Sequence, residues 1–269
     1  MRLIKPSVTT ITYETSIDGM YKSIAESSYI CYATDPNKAK LTPEEFVNKV
    51  IIPNDHGRCL EFGTVYLKIP WCHTYETTNL VSFFRNNHWS RVKFFGKAED
   101  PSWLVTTNFR VIVENRLIDE MNMYFEYTPY HHKRYLAEFI LSRGAADDFR
   151  THVELSSIAE SSRWCDYSKD RFGNELTFIE PYFDREGITE HVLDTFREDE
   201  CRYLKGAELG MKPQELKRIY PLGAKTTLRL CGFKDAWNNF FYRRCDEHAD
   251  PECILLAKMI KKEFESLYK

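Results

Sequence analysis

The chain has 269 residues, of which 43% are apolar, and it contains 18 Phe and 16 Tyr, enough to build a sizeable packed core. Its formal net charge of -3 argues against a general electrostatic footprint for nucleic acid, although a local basic pocket remains compatible with it. No apolar run reaches membrane-spanning length, and the opening Met1-Arg2-Leu3-Ile4-Lys5-Pro6-Ser7 has no signal-peptide core, so a cytoplasmic protein is expected. The eight cysteines form no C-x-x-C pair, which favours reduced thiols over a disulfide scaffold or a metal site.

In chain order, Val8–Tyr13 alternates as a strand does, and Met20–Cys31 reads as a helix. Thr42-Pro43-Glu44-Glu45 has the marks of a helix start: an N-cap threonine, a proline in the first turn and a glutamate closing a capping box. Phe46, Val47, Val50 and Ile51 supply its apolar stripe, and Pro53-Asn54-Asp55 ends it. A loop from His56 to Gly63 leads into a strand at Thr64–Ile69; taken alone, His56 would be read as a helix cap.

From Tyr66 to Ser102 the chain interleaves aromatic and basic residues, among them Trp71, His73, Phe83, Phe84, Arg85, His88, Trp89, Arg91 and Lys93. Such interleaving suits base stacking, but an insertion packed at a subunit interface is the favoured expectation. Trp103–Glu114 reads as a strand entering a helix. Tyr135, Leu136, Phe139 and Ile140 are spaced as a helical stripe that stops at Arg143-Gly144.

The densest chemistry lies between Asp148 and Phe178. His152, Glu154, Ser156, Ser157, Glu160, Ser161, Ser162 and Arg163 offer donors and acceptors to a planar, charged ligand. Considered alone, the Ser-Glu run is a helix start capped by Ser156 or Ser157 with Glu160 as the capping-box acid. Leu176–Ile179 is a short strand. Residues 180–208 are charged and irregular, with a helical portion near His191–Arg197, and suit a lid or an inserted arm. After Pro221 a strand is expected, then a helix N-capped by Asp235 that carries Trp237, Phe240, Phe241, Arg244 and His248 on one face. Pro251–Tyr268 is a final amphipathic helix.

Several blocks in this order resemble the flavin-dependent thymidylate synthases, the ThyX family, whose pattern is Arg-His-Arg, seven residues, Ser, then an Arg and an aromatic. His152, Ser161, Arg163 and Trp164 fall at those spacings, and Glu160–Lys169 looks like the phage and Bacteroidetes-type branch. Thr151 and Val153 stand where the family has its two arginines, and Asp148 where it commonly has Gln or Glu. His56, Leu60 and Glu61 match a His loop followed by Leu-Glu-His, with Phe62 in place of the last histidine. Leu216–Leu222 is similar to the block Ala-Arg-x-x-Leu-Pro-Leu, Lys217 taking the place of the nucleotide arginine. Lysine keeps the charge and loses the bidentate fork. Asn239 and Arg244 match a helix in which the asparagine touches the flavin and the arginine favours the ionised N3 of the uracil ring.

The resemblance spans roughly residues 17 to 252. It implies a single α+β domain over residues 1–269, with a central antiparallel sheet flanked by helices, insertions near 71–102 and 180–208, and assembly as a homotetramer. It also implies FAD, NADPH and methylenetetrahydrofolate as cofactors, dUMP as substrate, and methylation at C5 without a cysteine nucleophile. On the same basis, Arg163 and Arg244 are the catalytic residues. Asp148, Glu160, Ser161, Ser162 and Lys217 join them in binding the nucleotide, while His56, Arg58, Glu61, His152, Glu154, Asn239 and His248 bind the cofactor. No metal, nucleic acid or membrane is implied. Two charge-assisted bonds lost at Thr151 and Val153 would weaken binding by about 3–6 kcal/mol. A paralogue acting on another pyrimidine nucleotide, by methylation or hydroxymethylation, and a non-catalytic nucleotide- or partner-binding descendant therefore stand as alternatives.

Overall fold

The computed structural model describes residues 1–72, 74–96 and 100–267. His73, singled out above, and Tyr268, the expected end of the last helix, lie outside them. The elements are, in chain order, β1 (Arg2–Ile4), β2 (Ser7–Ile11), α1 (Ile17–Tyr32), α2 (Pro43–Phe46, running on as a π-helical turn over Val47–Ile51), α3 (Gly57–Leu60), β3 (Thr64–Pro70), α4 (Tyr75–Asn86), β4 (Arg91–Phe95), β5 (Ser102–Asn108), α5 (Phe109–Glu114), α6 (Ile118–Tyr124), β6 (Arg134–Ser142), α7 (Arg143–Arg150), β7 (Ser156–Ala159), β8 (Thr177–Ile179), α8 (Ile188–Glu208), α9 (Pro213–Leu216), β9 (Lys225–Phe233), α10 (Lys234–Arg244) and α11 (Pro251–Leu267). This mixed helix-and-sheet content agrees with the expected α+β class.

The chain divides into two compact units, one of residues 1–11, 30–34 and 136–269, the other of 12–29 and 35–135. In the first, the sheet order is β2-β6-β9-β7. β2 lies antiparallel to β6, with Ser7 opposite Ile140, and β7 lies antiparallel to β9, with Ser156 opposite Cys231. A separate parallel pair joins β1 to β8. Trp237, Phe240 and Phe241 of α10 pack with Phe264 of α11, Phe139 of β6 and Phe149 of α7 as a cluster of edge-on and tilted rings. A second cluster gathers Cys165, Tyr167, Leu176, Phe178, Tyr203, Leu216 and Ala224.

Four local expectations are corrected. Tyr135, Leu136, Phe139 and Ile140 lie on strand β6, not on a helix; an inner strand covered on both faces shows an almost unbroken apolar run, in which the two-residue period is hidden. The helix instead begins where one was expected to stop, at Arg143, with the Ser142 hydroxyl accepting from the Ala145 N–H. Ser156 and Ser157 are not caps but strand residues of β7, because their backbone pairs with β9. Residues 188–208 are one continuous helix, its charges paired across three or four positions, as in Arg202–Glu198 at 2.7 Å. Asp235 sits in the first turn of α10, and the cap position is Phe233, with no side-chain cap bond.

Glu160 fastens the exit of β7. Its carboxylate is buried and accepts from the Thr227 hydroxyl at 2.8 Å, from the Tyr167 hydroxyl at 3.1 Å and from the Lys225 ammonium. The Ser161 N–H, next along, donates to the Cys31 carbonyl at 3.0 Å.

In the second unit, β3-β5-β4 form an antiparallel sheet, Thr64 opposite Asn108 and Arg91 opposite Thr106. The predicted capping box at Thr42 and Glu45 is present in both directions. Asn108 ends β5 and caps α5, the strand-to-helix passage the sequence predicts. Gly19 packs so tightly that a Cβ there would lie 2.3 Å from the Glu14 carbonyl oxygen, a backbone atom with no freedom to turn aside. No helix among the described residues is long and apolar enough to cross a membrane.

Two stability effects follow. Gly19→Ala is expected to cost about 1–3 kcal/mol through that clash, read as a lower midpoint in thermal or urea unfolding. Glu160→Ala strands Lys225 and two hydroxyls and is expected to cost about 3 kcal/mol; an unchanged midpoint in either variant would contradict the packing described.

Candidate functional site

The short loop after α7 faces the C-terminal half of α10, and between them lies an open cleft of about 770 Å3. Roughly 300–1,000 Å3 is usual for ligand sites. Thr151, His152, Val153 and Glu154 line one side; Ala236, Asn239, Tyr242, Arg243, Arg244, Asp246, His248 and Ala249 line the rest. The aromatic cluster beneath α10 fixes one face of that helix in the core, so Asn239, Tyr242 and Arg243 stand outward.

Arg244 is the fixed point of the cleft. Its Nε–H donates to His152 Nε2 at 2.9 Å, and its Nη2 donates to the Thr151 hydroxyl at 2.9 Å and to the Asp148 carbonyl. Among the described residues, Nη1 makes only a long contact, 3.9 Å, with the Asp148 carboxylate. An imidazole nitrogen that accepts carries no proton, so the His152 proton sits on Nδ1. Burial lowers the His152 pKa to about 4, helped by the positive charges of Arg244 and Arg243. The ring is therefore neutral near pH 7, and its edge-on packing against Phe240 at 5.0 Å holds its plane.

Glu154 and Asp246 also line the cleft, and Asp246 is held by His248, whose backbone N–H and Nδ1 both lie 2.9 Å from its carboxylate. His248 lies beyond the end of α10 at Arg244, not on its apolar face as the spacing suggests. The Arg244 partner is Asp148 with His152 and Thr151, not the Asp235 or Glu247 that a salt-bridged surface helix would use.

Six of the expected site residues thus come together: Asp148, His152, Glu154, Asn239, Arg244 and His248. The others lie elsewhere. Arg163 is exposed in the turn after β7, where its N–H donates to the Ser161 hydroxyl at 3.3 Å, and it does not line the cleft. Ser161 and Ser162 occupy the same turn, Glu160 is buried beneath it, and Lys217 is exposed at the end of α9. His56, Arg58 and Glu61 belong to the other unit: His56 and Arg58 are exposed at α3, and the buried Glu61 accepts from Arg110 at 2.7 Å. Tyr242, Arg243 and Asp246 join the cleft without being among the residues expected there, although the spacing of the first two from Asn239 and Arg244 on one helical turn is a signal for them.

A planar ring with acceptor atoms along its edge suits this wall, which presents the Asn239 amide, the Arg243 guanidinium and the His152 Nδ1–H. Among the described residues, no group of His, Cys, Asp and Glu is placed to hold a metal ion, and all eight cysteines are free thiols.

The solved structures that align with the chain include the following two. ThyX from Helicobacter pylori, solved with FAD and dUMP, is 15% identical, with 96% of this chain and 92% of that one covered at a TM-score of 0.42. The UMP/dUMP methylase PolB from Streptomyces cacaoi, bound with 5-Br UMP, is 8% identical, with 99% and 92% covered at 0.46. No curated protein sequence matches. The family profile described as thymidylate synthase complementing protein matches residues 80–268, which takes in β6, α7, the cleft and α10. The chain belongs to the thymidylate synthase complementing protein family, that of the flavin-dependent thymidylate synthases its motifs resemble.

Proposed function

We propose that the chain methylates a pyrimidine nucleotide, dUMP to dTMP, as a flavin-dependent thymidylate synthase with methylenetetrahydrofolate and NADPH as co-substrates. In this reading the whole chain works as one ThyX-like domain, in the cytoplasm and as a homotetramer. The observation that carries it is Arg244, a guanidinium fixed at the wall of a nucleotide-sized cleft in a member of this family.

Carbon 5 of a uracil ring becomes nucleophilic when negative charge is placed on the ring, and a preorganised cation stabilises that charge at no cost of reorganisation. Three hydrogen bonds lock the Arg244 guanidinium plane, and Nη1 remains the arm directed to a ligand. The neutral His152 is suited to this task, since a protonated ring would repel Arg244 and give up the bond that orients it. Asp148 positions Arg244, while Arg163, Lys217, Ser161, Ser162 and, beneath them, Glu160 complete the nucleotide side of the proposed site. Asn239, Glu154, His152 and His248 hold the cofactor; His56, Arg58 and Glu61 keep that role on the family resemblance alone. When bound and reduced by NADPH, the flavin would supply the hydride that converts the transferred carbon to a methyl group.

A second reading, with another pyrimidine nucleotide or a hydroxymethyl product, draws on Thr151 and Val153. Both are exposed and line the cleft where the family carries arginine, and Thr151 serves Arg244 as an acceptor instead of offering a cation.

The purified protein is expected to show flavin absorbance that bleaches with NADPH; a colourless protein that gains no absorbance on incubation with FAD would contradict the proposal. Release of the C5 hydrogen from dUMP with the folate present, and not from dCMP, separates the first reading from the second. Arg244→Ala is expected to slow that release on the order of a hundredfold or more while the circular dichroism is unchanged; full activity would remove Arg244 from its assigned role.

The pH dependence has a defined sign. The folded pKa of His152 is depressed, so its contribution to stability is complete above the ordinary histidine value near 6.5 and is lost as pH falls toward about 4. Histidine NMR titration is expected to show one ring still neutral at pH 5 and assigned to residue 152 through a His152→Gln variant; an ordinary midpoint would contradict the geometry.

A further inference from the structure

The interleaved aromatic and basic stretch has no part in the cleft, yet it builds a pocket of its own. Trp71, Trp103 and Phe94 fall on one face of the β3-β5-β4 sheet, since Trp103 is opposite both Ile69 and Phe94 in register. Their rings form a row, Trp71 to Phe94 at 6.3 Å and Phe94 to Trp103 at 4.7 Å. Helix α4 supplies the facing wall through Thr78, Val81, Ser82 and Arg85, which recur at the three- and four-residue spacing of one helical face. The space between is about 330 Å3, and Cys72 and Thr77 also line it.

Arg85 decides what this pocket is suited to hold. Its guanidinium lies over the Trp103 ring, 4.2 Å from the centroid, and among the described residues it has no carboxylate and no hydrogen-bond acceptor. A cation stacked on an indole keeps its plane fixed while its N–H edge stays available, and such a fork matches a carboxylate or a phosphate. Ser82 adds an exposed hydroxyl on the same helical face, one turn away. Val81 and the two indoles provide the apolar surface for a flat ring.

We propose that this pocket is a second ligand site, separate from the cleft at Arg244, which binds a planar aromatic anion with its ring against Trp71 and Trp103 and its charge on Arg85.

Cys72 provides a local reporter. It is exposed, and the Thr77 hydroxyl, 3.4 Å from its sulfur, lowers the thiol pKa from its ordinary value, so alkylation at neutral pH is practical. The test titrates the full-length protein with 2-naphthoate and with 2-naphthyl phosphate by calorimetry, with neutral 2-naphthamide as control. In parallel, iodoacetamide labelling of Cys72 is followed by peptide mass spectrometry. One anion or both should bind with 1:1 stoichiometry and slow Cys72 labelling as the site fills; the tighter of the two identifies the anionic group. Arg85→Ala should weaken the anions by about tenfold or more and leave the amide unchanged. Arg85→Lys should fall between, because it keeps charge without the plane. The proposal is overturned if neither anion binds at millimolar concentration, if the amide binds as tightly as the anions, if Arg85→Ala binds the anions like the parent, or if labelling of Cys72 is indifferent to bound ligand. Because Arg85 is exposed and distant in sequence from the proposed nucleotide residues, Arg85→Ala tests this pocket without touching Arg244, and flavin binding reports on the cleft independently.

Discussion

A single hydrogen bond organises the cleft between the loop after α7 and α10, that from the Arg244 Nε–H to the unprotonated Nε2 of His152. It demands a neutral imidazole with its proton on Nδ1, and burial beside two guanidinium groups enforces that state. Protonation would replace an attraction with a repulsion between cations 2.9 Å apart at their nearest nitrogens. The chain thereby obtains a guanidinium whose plane is set by the protein, so that binding a ligand need not order it.

The framework that makes this bond possible is aromatic. Phe149 on α7 and Phe240 on α10 meet edge to face at 4.8 Å, and Phe240 also touches the His152 ring. The loop after α7 and the last turn of α10 are thus registered by packed rings, and the polar contacts are laid on that register. At the other end of α7, the buried Glu252 carboxylate accepts the Ser142 N–H at 2.7 Å, tying the helix start to α11. Burial raises the Glu252 pKa, so this tie also belongs to the dry interior.

Much of this was legible in the sequence because it rests on local chemistry. The capping box at Thr42, the strand-to-helix passage at Asn108 and the apolar stripe of α10 are each written in adjacent residues. The family spacing singled out His152 and Arg244 separately, in different roles; their pairing was not legible, since no local rule joins positions 92 residues apart. What escaped has one physical cause, that tertiary cover removes periodicity. Strand β6 is buried on both faces and mimics a helical stripe, while β7 is a strand only because β9 lies beside it. Thr151 reads in the sequence as a missing arginine, and in the fold it is an acceptor for the arginine that is present. Arg85 was visible as a charge among aromatics, but its placement over Trp103 depends on the packing of α4 against the sheet.

The central claim is that Arg244 stabilises negative charge on a pyrimidine ring. The most direct measurement is the 15N resonance of dUMP labelled at N3, bound to the flavin-loaded protein near neutral pH. The account predicts an N3 shifted to the ionised form in the parent protein and returned to the protonated form in Arg244→Ala. A bound nucleotide that keeps its N3 proton in both would contradict it.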